Sequence, residues 1–324
     1  MMASISRRNS VSLLAVGAAL CAVAATSGQA LAQEMPELVT DDFDANAAIV
    51  VTAQRRDESI QDVPISISAI GGEQLTESGV SSLVSLSGKV PALNVQEGGV
   101  APLFYLRGLG NNGSAINSEP SVAIYMDGVY VYPSFATNFP FHGYERVEVL
   151  KGPQGTLFGR NTTGGVIQFV TRKPTEETVV EASVGYGNYE TVEASFYGSA
   201  GLAEGLSINL SAYYQNQGEG WGYNSTRDEE EFLTDRTGVR TQLRYNPNSD
   251  TDVLLTFDYS RFESTGFATQ VAPGVVSFNG VPADNDRYEL VANFDNSNDI
   301  KTWLASLRIQ QNIGFAYVDN ITAH

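Results

Sequence analysis

The chain has 324 residues, with 19 Lys and Arg against 37 Asp and Glu, a formal charge of −18, two histidines and one cysteine. That acidity argues against a nucleic-acid partner, whose phosphates need Lys and Arg. His142 and His324 stand far apart, which all but excludes a histidine metal site or catalytic triad, so no metal and no cofactor are expected.

The first 32 residues read as a secretory signal. Arg7 and Arg8 form a basic start, Val11 to Thr26 is an apolar run, and Ala30-Leu31-Ala32 is a small-x-small cleavage site. The run is short for a spanning helix, which needs about 20 apolar residues. Cys21 lies inside it, so the remaining chain has no thiol and no disulfide. Without the signal the count is 17 cations against 37 acids, a net −20.

Residues 33–48 are acidic and aperiodic and read as a disordered leader. The stretch IVVTAQRR follows, with strong β-formers at Ile49, Val50, Val51, Thr52 and Ala53. With no sheet partner evident nearby, it reads either as the first strand of the next domain or as a peptide that adds a strand to a partner's sheet edge.

Residues 60–174 read as a compact α+β unit. Asp62 to Ala69 alternates as a strand; GEQLTESG and SSLVSLSG are short helices stopped by Gly79 and Gly88, the second capped by Ser81. LNVQE, FYLRGLG and SVAIYMDGVYV are further strand signals, with a hairpin at Asp127-Gly128. ERVEVLKG and GGVIQFVTRK are two more. Between them lies GPQGTLFGRNTTGG, whose Gly159 to Gly164 spacing opens like a phosphate loop. Gly165 and Val166 then stand where that loop needs Lys and Ser or Thr, so it is not a nucleotide site. Gly152, Gly155, Gly159, Gly164 and Gly165 are expected instead to form a tight, irregular turn.

From Thr178 the pattern becomes long strands of period two. Seven are expected, each with one apolar and one polar face; Val253, Leu255, Phe257 and Tyr259 oppose Thr256, Asp258 and Ser260, for example. Such alternation fits a soluble sandwich or a membrane barrel. Short connections (LAEG, NPNSDT, NIG) alternate with long ones, about Gly218 to Asp235 and Ser264 to Ile300, the first link, about Gly187 to Tyr189, being the exception, and Tyr186, Tyr214, Trp221, Tyr245, Tyr259 and Trp303 fall near strand ends. That asymmetry favours a barrel with tight periplasmic turns, long external loops and aromatic girdles. The acidic run Asp228 to Glu231 is expected as a solvated loop tip, with contact to a cation or to lipopolysaccharide as the alternative.

IVVTAQRR, DVPISISAI, FYLRGLG, VAIYMDGVYV and YERVEVLKGPQGTLFGRNTTGGVIQFVTRKP together resemble, in order and spacing, the N-terminal part of a TonB-dependent outer-membrane receptor. The resemblance implies an α+β plug domain folded inside an antiparallel transmembrane β-barrel of about 22 strands. It makes Ile49, Val50, Val51, Thr52 and Ala53 the TonB box, bound by the TonB periplasmic domain. It makes Arg107 and Lys151 candidates for locking the plug to barrel carboxylates, and the glycine turn a place where backbone approaches the barrel wall. The loops Asn111 to Ser118 and Pro133 to Phe139 become plug apices facing the substrate. The implied function is active import of a scarce, bulky nutrient across the bacterial outer membrane, iron–siderophore complexes first, with glycans, cobalamin or haem as alternatives.

Seven strands of about 21 residues each fall well short of the roughly 460 residues that such a barrel requires. The chain is therefore expected to be an incomplete receptor, unable to transport alone. A passive channel or adhesin would need no box. An exported enzyme with paired carboxylates would have to use acids such as Glu193 and Asp258, which sit on the polar faces of barrel strands.

Overall fold

The computed structural model describes residues 50–53, 55, 58–78, 83–96, 102–110, 119–131, 143–265, 276, 288–290, 292–295 and 297–324. The signal, the leader, Ile49, both apical plug loops and His142 lie outside them.

The chain opens with β1 (Val50–Val51) and β2 (Glu58–Ser59), an antiparallel pair. β3 (Ile67–Gly71) follows, then α1 (Gly72–Glu77) and α2 (Leu83–Ser87). The expected strand from Asp62 starts five residues late, because Pro64 has no amide to give a ladder. β4 (Leu93–Gln96), β5 (Leu103–Leu106) and β6 (Leu109–Gly110) form a small sheet. FYLRGLG is thus not one strand. It folds back on itself where Arg107 and Gly108 take φ of 54° and 79°. β7 (Val122–Met126) and β8 (Val129–Val131) make the expected hairpin, with Asp127 and Gly128 both at positive φ, the twist that a two-residue hairpin turn needs. β9 (Tyr144–Lys151), α3 (Gly155–Phe158) and β10 (Gly165–Thr171) complete the plug, so the glycine-rich link contains a turn of helix.

Five of these strands form one sheet in the order β3-β9-β10-β7-β8, with β10 and β7 parallel. Every residue of β7 and β10 is buried, as expected for central strands covered on both faces. One face carries Ile124, Val147, Val149, Ile167 and Phe169 beneath the helical residues Leu75 and Leu86 and beneath β4 and β5. The other carries Ala123, Tyr125, Leu150 and Val166, and its cover is Val51, Ala53, Val63 and Phe158.

The second half is a sheet of seven consecutive antiparallel strands: β11 (Val179–Gly187), β12 (Thr191–Ala203), β13 (Leu206–Gln217), β16 (Thr234–Asn248), β17 (Thr251–Ser264), β19 (Asn298–Asn312) and β20 (Tyr317–Ala323). The long connections are not plain loops. They supply β14 (Gly222–Asn224), β15 (Glu229–Glu231) and β18 (Glu289–Leu290), a separate three-stranded sheet. The acidic tip is therefore structured: Glu231 is buried and accepts a hydrogen bond from Asn224. Trp221 stacks on Phe232 beside this sheet instead of joining a girdle.

The faces of the seven-stranded sheet decide between sandwich and barrel. Register aligns Asn209, Gln242, Thr256 and Ser306 in one row, and the first three are buried. Ile208, Leu243, Leu255 and Leu307 share the opposite row, and all four are exposed. The polar face is inside and the apolar face outside, the reverse of a soluble sandwich and the pattern of a barrel in lipid. Phe257→Arg, which puts a charge mid-strand on the outer face, should cost about 2–4 kcal/mol. Urea unfolding of the full receptor from lipid vesicles reads this; a shift no larger than that of Thr256→Ala would remove the lipid-facing assignment.

Candidate functional site

The plug meets the inner face of the barrel sheet through polar contacts. Gln242 donates to the Thr171 hydroxyl (2.9 Å), and Asn209 donates to the Arg172 carbonyl (2.8 Å). The Arg172 guanidinium pairs with Glu181 (2.7 Å) and lies 4.0 Å from the centre of the Tyr197 ring. Arg240, ion-paired with Asp258 in the wall, reaches the Met126 sulfur of the plug (2.6 Å). Lys173 sits 3.6 Å from Asp252.

Arg107 and Lys151 do not make these contacts. The Lys151 ammonium donates to Ser68 (2.8 Å), and Arg107 lies against Gly152. Among the described residues neither has a carboxylate within ion-pair distance. The two cations neighbour each other: burial, then the Arg107 charge, pulls the Lys151 pKa below its usual range. Arg172, Lys173 and Arg240 join the plug to these seven strands instead. Sequence reasoning passed over Arg172 and Lys173 because they sit at the end of an apolar strand, where a solvated pair is the ordinary reading.

Among the described residues the glycine turn approaches the plug itself. A Cβ on Gly165, at φ 148°, would overlap the Leu150 carbonyl oxygen of β9, and one on Gly164 would lie 3.1 Å from the Ser121 carbonyl. Gly152 also has positive φ (107°), and Gly159 ends α3 at φ 77°. Gly155 meets nothing within 4 Å, so its place in the motif has no steric reason here. Gly165→Ala should destabilise the plug by about 2–3 kcal/mol, since both the φ and the space refuse a methyl group. A full receptor whose denaturation midpoint is unchanged by this variant would contradict that.

The segment Val50 to Ala53 is docked. Val50 pairs with Ser59 and Val51 with Glu58, so the strand expected to lack a partner finds one within the chain. Val51 and Ala53 are fully buried against Leu150, Val166 and Phe158. Between them, the Thr52 amide and hydroxyl donate to Glu148 (2.9 and 3.1 Å), and Gln168 donates to the Thr52 hydroxyl. Glu148 is itself fully buried and also accepts from Arg146 Nε (2.8 Å). Arg55 donates to the Leu157 carbonyl (2.9 Å) and lies over the Phe158 ring. Of the two readings of IVVTAQRR, the pairing corresponds to the first: Val50–Val51 is a strand of the plug's own cover, in a ladder two residues long. Glu148 had no sequence signal beyond its place in the alternating strand ERVEVLKG.

The TonB-dependent Receptor Plug Domain matches residues 59–166. The iron-regulated outer membrane virulence protein of Vibrio cholerae is 27% identical over 226 residues, covering 64% of this chain and 32% of that protein. The pesticin receptor of Yersinia pestis is 28% identical over 52% of this chain and 25% of its own length. The vitamin B12 transporter BtuB of Vibrio vulnificus is 26% identical over 55% and 29%. The chain thus spans between a quarter and a third of the length of these relatives. Among solved structures, the ferric yersiniabactin uptake receptor FyuA of Yersinia pestis matches with a TM-score of 0.67 at 22% identity, over 80% of this chain and 40% of that one. The FpvAI–pyocin S2 complex structure matches at 0.66 and 19%, over 84% and 36%. The plug-domain match, its seat on an inward polar face and these likenesses agree that residues 59–166 are a TonB-dependent receptor plug domain, in a chain built like part of a TonB-dependent outer-membrane receptor.

Proposed function

We propose that the receptor containing this chain imports a bulky nutrient, an iron chelate first, across the outer membrane with energy delivered through TonB. The observation that carries this reading is the docked box: a short β segment, Val50 to Ala53, covers a plug that itself fills the polar side of a lipid-facing sheet. A passive channel has no use for a separable strand on its plug. TonB's periplasmic domain would take the segment by strand addition, with main-chain bonds supplying affinity. Ile49 would extend that strand. Residues 60–174 act as plug and the strands from 175 onward as wall, with 1–32 as signal and 33–59 as tether. Arg107 and Lys151 offer the plug a paired cationic surface suited to carboxylates.

Iron is put first because the relatives include an iron-regulated protein and the fold neighbours include a ferric yersiniabactin uptake receptor and a siderophore receptor. Cobalamin is the second reading, carried by the transporter relative. Nothing in this reading calls for catalysis. The test is uptake of ⁵⁵Fe-siderophores and of ⁵⁷Co-cobalamin by cells in which the full receptor is the sole outer-membrane route. Iron uptake lost without TonB supports the proposal; uptake independent of TonB turns it toward a passive channel.

A further inference from the structure

On the outward face of the seven-stranded sheet, the apolar rows of β17 and β19 end at Tyr259 and Trp303, which lie opposite each other. Two residues further toward the long connections, about 7 Å beyond, the same face carries Arg261 opposite Lys301, and after them Glu263 opposite Asp299. Arg261 donates to both oxygens of Asp299 (3.0 Å each) and to Glu263 (2.6 Å), and the Lys301 ammonium lies 3.1 Å from Asp299. On β16 the outward row closes with Asp235, which accepts from Asn216 (2.7 Å).

Among the described residues these five are the only charged ones on the outward rows of the seven strands, and all lie at the end from which the long connections leave. At the other end the same rows finish in Tyr245, Thr251 and Gln311, without charge. Exposed ion pairs of this kind add little to stability, so the fold gives no reason for so one-sided a rim. The lipid does. An apolar face, then aromatic rings, then cations follows the order of an anionic amphiphile: acyl chains, interface, phosphate. In the external leaflet of an outer membrane that amphiphile is lipopolysaccharide, whose lipid A carries phosphates directly above its acyl chains.

We infer that Arg261 and Lys301 bind a lipid A phosphate of lipopolysaccharide at the external rim of β17 and β19, with Asp299 holding the two cations side by side. The inference rests on the lipid-facing assignment of this sheet and is independent of the import reading. Arg261 spends Nε and Nη2 on carboxylates, which leaves Nη1, and the Lys301 ammonium has three donors with one directed at Asp299. Charge-assisted bonds to phosphate are among the stronger hydrogen bonds. The neighbouring acids keep the cluster near neutral, which suits a leaflet whose phosphates are bridged by Mg²⁺: Glu263 shares such an ion with the lipid while the cations hold the phosphate directly. Bound lipid then braces the rim from which the connection carrying β18 rises.

The test is retention of tritiated lipid A by the full receptor, purified in detergent with Mg²⁺ and freed of bound lipid. The phosphorylated lipid is compared with the same lipid after dephosphorylation. The wild type should prefer the phosphorylated form, and the Arg261→Gln, Lys301→Gln double variant should lose that preference, binding it about tenfold more weakly or worse. Lys301→Gln alone, at a side chain more than half exposed, should show a smaller loss in the same direction and keeps the test open if the double variant misfolds. Arg160→Gln removes an exposed cation of the plug and should change nothing. Equal retention of the two lipids by the wild type, unchanged binding in both rim variants, or an equal loss in Arg160→Gln each overturns the inference. The last would mean that the lipid answers to overall charge and not to this rim.

Discussion

Val51→Pro should abolish energised uptake, by at least roughly an order of magnitude, while cells bind substrate at the surface as before. Strand addition draws its affinity from main-chain hydrogen bonds in register. Proline removes one amide and fixes φ, so it interrupts the ladder at the middle of the segment. Val51 is also fully buried against the plug, so the variant should loosen the docked state as well. Both effects expose the segment and neither lets it pair. Val51→Ala separates them: it keeps the amide and loses apolar burial worth roughly 1–2 kcal/mol, so it should dock less tightly and still transport. The measurement is ⁵⁵Fe-siderophore uptake against surface binding in cells relying on the full receptor. Wild-type uptake by Val51→Pro would mean that these residues are not where TonB engages, whatever their resemblance to a box.

Much of the fold was legible because its signals are local. The hairpin at Asp127-Gly128 announces itself by a pair of residues that accept positive φ between β-formers. The seven wall strands announce themselves by strict alternation. What alternation leaves open is which face points inward. Leu255 and Thr256 are neighbours in sequence, and only the burial of Thr256 beside Gln242, which bonds the plug at Thr171, tells that the polar side is the interior.

The site was read less well, for a physical reason in each case. The glycines were expected to let backbone approach the barrel wall; among the described residues the tightest approach is Gly165 against Leu150 of the neighbouring plug strand, a contact fixed by the pairing of β9 with β10. Arg107 and Lys151 were expected to hold barrel carboxylates, but here they lie beside each other, with Lys151 bonded to Ser68. The docking of Val50 to Ala53 depends on Glu148, 96 residues from Thr52. No spacing rule connects a threonine in a leader to a glutamate in a central strand, so only the folded sheet brings them together.

Glu148→Ala should therefore have the largest effect on the plug of any single change on that face. The carboxylate is fully buried and holds three donors: the Thr52 amide, the Thr52 hydroxyl and Arg146 Nε. Its loss leaves Arg146, nearly buried, with Glu145 at the exposed edge as its remaining acidic partner. Breaking a buried charge pair by removing one partner costs about 3–5 kcal/mol. Part of that falls on the plug sheet and part on the docked segment. Trypsin cleavage after Arg55 reads the second part: Arg55 is exposed, but a protease cleft needs the preceding residues extended, and Thr52 and Ala53 are held in the docked segment. A loss of about 3 kcal/mol in docking corresponds to roughly a hundredfold faster cleavage when reclosing outpaces the protease. Thr52→Val, which removes the hydroxyl but keeps the amide, should raise it only about tenfold, in line with a single buried hydrogen-bonding group worth about 1–3 kcal/mol. Glu148→Gln keeps an acceptor for Thr52 and loses the charge opposite Arg146, so it should fall between the two. Equal cleavage rates across the three variants would mean that apolar burial of Val51 and Ala53 holds the segment alone, and Glu148 would then serve Arg146 and the sheet and have no part in docking.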